Sequence, residues 1–146
     1  MTNSHPNTIK EIAQQLDCGF DCFLNLRTNE IVAIPNFGQL MDEDEFRDAF
    51  GEEIKKVANK KTDFIKFEVL EGFESFKIME RFVEELTDKN LQLELKNVLA
   101  NKKPFQNFKH LIDHSEFRQR WFNFKQTELE KRVEAQLKIE KQAHNI

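Results

Sequence analysis

Between Pro104 and Leu129 the chain reads PFQNFKHLIDHSEFRQRWFNFKQTEL, a stretch that interleaves five of the fifteen phenylalanines and the single tryptophan with basic residues. At helical spacing Phe105, Phe108, Leu111 and Ile112 form one apolar face behind a proline suited to a first helical turn, and Ser115 is placed to cap a second helix. In that second helix Phe117, Trp121 and Phe124 fall on one side, with Phe122, Leu129, Val133 and Leu137 on another, roughly 100° or more away at 3.6 residues per turn. A helix with two apolar stripes must be buried on two sides, so the stretch predicts a helical hairpin wedged into a core. It does not by itself predict a reaction.

The remainder of the chain must supply what covers those stripes. Thr8 and Glu11 have the spacing of a capping box, and Ile9, Ile12, Ala13 and Leu16 give an amphipathic helix ending near Gly19. Residues 20–26 and 31–35 carry β-favouring side chains around the turn-like Arg27-Thr28-Asn29-Glu30, which reads as a β-hairpin. Pro35-Asn36-Phe37-Gly38 breaks it. Asp42-Glu43-Asp44-Glu45 then opens a helix with Phe46, Phe50, Ile54 (or Ala49) and Val57 on one face, the four acids suiting the positive end of the helix dipole. A third strand is expected over 63–69. Ser75 reads as the cap of a helix carrying Phe76, Met79, Phe82, Val83 and Leu86, and Thr87 or Asp88 as the cap of another carrying Leu91, Leu95, Val98 and Leu99. The expected fold class is α+β: a small three-stranded antiparallel sheet packed against a mainly helical layer, 75–99 and 104–141, with a long C-terminal helix. The 146 residues fit a single domain with frayed ends, long enough to bury a sizeable core.

Fifteen Phe and no Tyr leave nearly all the aromatic area without a polar handle, which favours core packing over stacking on a ligand. The start, MTNSHPNTIKE, has neither a positive flank nor an apolar run, no segment is apolar enough to span a bilayer, and the two cysteines lie four apart, so a cytoplasmic protein with free thiols and no membrane partner is expected. Charge is uneven: residues 1–95 carry 11 Lys and Arg against 20 Asp and Glu, and residues 96–146 carry 11 against 6. That is −9 followed by +5, either an anion-binding face on the basic half or two halves attracting one another.

Three constellations carry chemistry. Arg118, Lys125 and Arg132 recur every seven residues and drift only about 20° per step, forming a basic line beside Trp121, with Lys109 nearby. Such a line supports salt-dependent binding of phosphates, and an exposed Trp121 would stack a base. Cys18, Cys22, His110 and His114 are the side chains that could hold zinc, but C-x3-C without a second close pair falls short of a zinc signature, so no metal or cofactor is expected. A cysteine–histidine nucleophile rests on the same residue types alone. There is no P-loop, nucleophile elbow or glycine-rich dinucleotide turn, and catalysis is not expected.

Ser75-Phe76-Lys77-Ile78-Met79-Glu80-Arg81-Phe82-Val83, Phe105-x-x-Phe108-Lys109 and Phe117-Arg118-x-x-Trp121-Phe122-x-Phe124 together resemble the bacterial uncharacterised protein family numbered 0158. The likeness covers most of the chain and departs from the family's pattern at Lys103-Pro104 and His114-Ser115. It implies a single small α+β domain and brings no substrate or catalytic residue with it. The residues thus point to a non-catalytic interaction or regulatory module with a protein partner, a second copy of the chain included. A nucleic-acid-binding protein using Lys109, Arg118, Trp121, Lys125 and Arg132 is the alternative, and a zinc-binding protein the second.

Overall fold

The computed structural model describes residues 5–36, 43–59 and 61–144. They comprise helices α1 (His5–Asp17), α2 (Glu43–Asn59), α3 (Gly72–Glu85), α4 (Lys89–Leu99), α5 (Pro104–Asp113) and α6 (Arg118–Ala143), with strands β1 (Phe20–Asn25), β2 (Ile31–Pro35) and β3 (Phe64–Phe67). The strands form one antiparallel sheet in the order β2-β1-β3, so the α+β class and the long last helix are as expected. Two compact units are present: Met1–Val69 with Leu129–Ile146, and Leu70–Glu128. The expectations for Phe37-Gly38, for Asp42 at the head of α2, and for the extreme ends at 1–4 and 145–146 lie outside the described residues.

In the first unit, cross-strand register puts Cys22 opposite Ala33 and Phe67, and Leu24 opposite Ile31 and Ile65. These side chains share one face of the sheet, and Cys22, Leu24, Ile65 and Phe67 are all buried there. The buried stripe of α1, Ile9, Ile12, Ala13 and Leu16, packs on β1, with the Cys22 thiol donating to the Ile12 carbonyl at 3.9 Å. Helix α1 begins at His5, so Thr8 is not its cap but lies buried within it. Pro6, in the first turn where an amide needs no partner, is the start signal that outranks the capping-box spacing. Helix α2 runs along β2 and breaks its helical dihedrals at Phe50 (φ −126°, ψ 17°), just before Gly51. The third strand is shorter than expected, because the Val69 amide is taken at 2.9 Å by the Asp21 carboxylate and not by the ladder.

Asn25 fixes the hairpin. Its buried side-chain oxygen accepts from the amides of Arg27 (2.8 Å) and Thr28 (3.1 Å), and Asn29 closes the turn at φ 63°, a left-handed conformation that Asn tolerates. Replacing Asn25 with Ala strips the acceptor from two turn amides and should cost about 1–2 kcal/mol. A urea midpoint unchanged from wild type would show that water satisfies those amides equally well.

The second unit has its own core. Ile78, Met79, Phe82, Val83 and Leu86 of α3 and the residue after it meet Leu91 and Leu95 of α4, Phe108 and Ile112 of α5, and Trp121 of α6. Asp88 caps α4 by accepting from the Leu91 amide at 3.1 Å, as its sequence position suggests. Buried Gln92 reaches back from α4 to donate to the Val83 carbonyl at 2.8 Å, a second donor beside the Leu86 amide that ends α3 at 3.2 Å. The expected cap of α3 is displaced: the helix starts at Gly72, where the Glu74 carboxylate accepts from the Glu71 amide at 3.3 Å, and Ser75 lies inside it. Ser115 bridges α5 and α6, donating to the Ile112 carbonyl and accepting from the Phe117 amide.

Candidate functional site

The aromatic stretch that begins at Pro104 divides into an interior and a surface. Trp121 is 8% exposed and meets Phe82 and Phe108 edge-on, at 5.2 and 4.9 Å between ring centroids, while Phe124 lies 5.4 Å from Phe82. An indole held this way has no face left for a base. The basic line of α6 is occupied too. The Arg118 guanidinium lies 3.4 Å from the Asp113 carboxylate and 4.6 Å from the Phe122 ring centroid; the Lys125 amine sits 5.4 Å from both Trp121 and Phe122; and Arg132 is engaged as well. Arg81 pairs with Glu128. The long side chains lay their stems along the aromatic face, and the line is not a free basic strip.

The surface part lies elsewhere. Phe105, expected on the buried face of α5, is 46% exposed, although Phe108 and Ile112 on that face are buried. It stands in the first turn of the helix, and the ring it meets is Phe76 of α3, at 6.2 Å and 72°. One turn before Phe76 stands Phe73, 65% exposed, with the Lys77 amine 5.9 Å from its ring centroid. Lys102 and Lys103 precede α5 and Lys109 follows Phe105 by one turn, all three exposed. Lys103 holds φ 53°, a left-handed conformation that a lysine adopts at some cost directly before Pro104. The result is a surface of three phenylalanines with four lysines nearby in the chain, and with Glu71, Glu74 and Glu80 along α3. A helix start at Ser75 leaves Phe73 outside the helix, whereas the Glu71-x-x-Glu74 spacing marks the start at Gly72 and brings it in.

Neither pair of candidate metal ligands gains further ligands. His110 and His114 are exposed on α5 and just beyond it, with rings 4.5 Å apart and His114 Nδ1 donating to the His110 carbonyl at 2.7 Å. Cys18 is exposed after α1, and Cys22 is buried on β1. Among the described residues no three His, Cys, Asp or Glu side chains are grouped as a metal site would need. Burial pushes the Cys22 thiol up from 9.0 to about 12, the charges of Asp21 and Glu11 adding to the effect, which is opposite to what a nucleophile requires. A 240 Å³ depression lined by Phe82, Glu85, Leu86, Thr87, Arg120 and Phe124 contains neither cysteine nor histidine.

The family model described as "Uncharacterised protein family (UPF0158)" matches residues 3–144. The chain belongs to this family. Its match spans both units, from α1 to the end of α6. No curated protein and no solved structure matches the chain. No helix among the described residues is long and apolar enough to cross a membrane.

Proposed function

We propose that the protein is a non-catalytic interaction module of the bacterial cytoplasm, which holds an acidic protein segment on the phenylalanine surface of α3 and α5. The observation that carries this reading is the exposure of Phe73 and Phe105 beside half-buried Phe76, in a unit where Phe82, Phe108 and Trp121 are buried and Phe117, Phe122 and Phe124 half-buried. Exposed aromatic side chains grouped on one surface favour a partner that desolvates them. The lysines at 77, 102, 103 and 109 select the sign of that partner: acidic residues flanking apolar ones. Buried Cys22 and the two-membered histidine pair offer no matched nucleophile, base and orienting group, which supports a non-catalytic role.

The test is fluorescence anisotropy of a labelled amphipathic peptide built from Asp, Glu, Leu and Phe, with single-stranded RNA as a second probe. The double variant Phe73→Ser, Phe105→Ser should lower the melting temperature by only a few degrees, both residues being exposed, and should weaken peptide binding by about tenfold or more. Peptide binding that is absent, or indifferent to the variant, overturns the reading. Salt-steep RNA binding lost in the same variant would move the surface to nucleic acid instead.

A further inference from the structure

The edge of β2 away from β1, which pairs with no strand among the described residues, has a definite hydrogen-bonding parity. The Asn25 amide donates to the Glu30 carbonyl at 2.8 Å and the Asn36 amide to the Gly19 carbonyl at 2.9 Å. In an antiparallel ladder bonded pairs alternate with non-bonded ones, so with this register Phe23–Val32 and Asp21–Ile34 are the bonded pairs between them. Ile31, Ala33 and Pro35 therefore turn their backbone groups away from β1. Pro35, which has no amide hydrogen, sits where its missing donor would have faced outward, in keeping with the confinement of proline to such edge positions.

The two edges of the sheet are treated differently. On β3, Leu26 donates to the Asp63 carbonyl at 3.0 Å, so by the same alternation Lys66 points outward, and its carbonyl accepts from the Gln136 side chain of α6 at 2.8 Å. On β2, the outward amides of Ile31 and Ala33 have no acceptor among the described residues. They border a groove of 340 Å³ between β2 and α2, lined by Glu30, Ile31, Val32, Ala33, Glu52, Glu53 and Lys56. Lys56 pairs with Glu30, and among the described residues Glu52 and Glu53 form no ion pair, so they are the net charge on the α2 wall.

We propose that this groove binds an extended basic peptide segment of another protein, which adds to β2 as a fourth strand. Its backbone would bond the outward groups of Ile31 and Ala33, and a lysine or arginine at an alternate position would meet Glu52 and Glu53. The site lies in the first unit and is independent of the phenylalanine surface, which selects a partner of the opposite charge.

The probe is a labelled hexapeptide alternating lysine and valine, with the glutamate–valine peptide as control. Wild-type protein should bind the basic peptide, and the amides of Ile31 and Ala33 should become protected from hydrogen exchange when it does. Ala33→Pro removes one outward donor and no bond to β1, so it should leave the fold intact and weaken binding by about tenfold. Glu52→Lys with Glu53→Lys should do the same through charge. Absent binding, equal binding of the acidic peptide, or exchange at Ile31 and Ala33 that stays fast in the wild-type complex overturns the proposal. So does protection that appears with protein concentration alone, which would give the edge to a second copy of this chain. Should Ala33→Pro fail to fold, the wild-type exchange pattern and the glutamate variant decide.

Discussion

Trp121→Ala should destabilise the protein by about 3–5 kcal/mol, the range for removing a large aromatic side chain from a core, and lower its melting temperature by roughly 10–15 °C. The ring closes the second unit where three helices converge: Phe82 of α3 and Phe108 of α5 both meet it edge-on, at 5.2 and 4.9 Å. Alanine leaves a void bounded by rigid rings, which cannot collapse into it without leaving their rotamers. Against a total stability of about 5–15 kcal/mol such a loss leaves a small reserve, and it should be read by circular dichroism because the variant has no tryptophan. Phe105→Ala is the internal control, since that ring is 46% exposed and its loss should cost only a fraction as much. Equal, small costs for the two variants would place Trp121 at the surface and reopen base stacking. A large cost for Trp121 alone assigns the tryptophan to the fold and not to the stacking of a base.

The contrast between those two rings also marks how far the sequence could be read. Periodicity assigned Phe105, Phe108 and Ile112 to one face of α5, and that is where they are. It could not say how far along the helix the neighbouring element continues, and Phe105, in the first turn, extends past the covered part. The same limit applies to the sheet. Three strands, the hairpin and its turn were legible, because β-favouring side chains are local signals and Asn25 to Glu30 is a local turn. The order β2-β1-β3 was not, since β3 follows after a helix and nothing local says which edge of the hairpin it joins. Nor was the parity that turns Ile31 and Ala33 outward, because it depends on register across two strands. Helix starts failed where two signals competed: Pro6 against the Thr8–Glu11 pair, and Glu71–Glu74 against Ser75. In each case the helix took the earlier start, the Glu74 carboxylate holding the Glu71 amide ahead of α3. The family resemblance rested on motifs from both the interior and the surface of the second unit, and the match over residues 3–144 bears it out.

Cys22 gives the second large effect, through its thiol. The side chain is wholly buried beneath α1, and burial, assisted by the charges of Asp21 and Glu11, raises its pKa from 9.0 to about 12. Three pH units reduce the thiolate population about a thousandfold, so in the native protein a disulfide reagent at pH 8 should titrate one thiol per chain, that of exposed Cys18. The second should appear only with denaturant, its slow native reaction reporting opening of α1 from the sheet. The same shift predicts the pH dependence. A folded-state pKa above the unfolded value means that the native state holds its proton more tightly, so the stabilisation is complete below pH 9 and is lost as pH rises towards 12. Across that window wild-type stability should fall by up to about 1.4 kcal/mol per pH unit more steeply than that of Cys22→Ala, which lacks the titrating group. Subtracting the two slopes removes the contribution of the lysines, which titrate in the same range in both proteins. Parallel slopes, or two thiols reacting at similar native rates, would mean that Cys22 ionises readily in the folded protein, and a cysteine-based activity would have to be considered again. A steep difference makes the residue a small apolar filler between α1 and β1, whose buried thiol takes no part in chemistry at neutral pH.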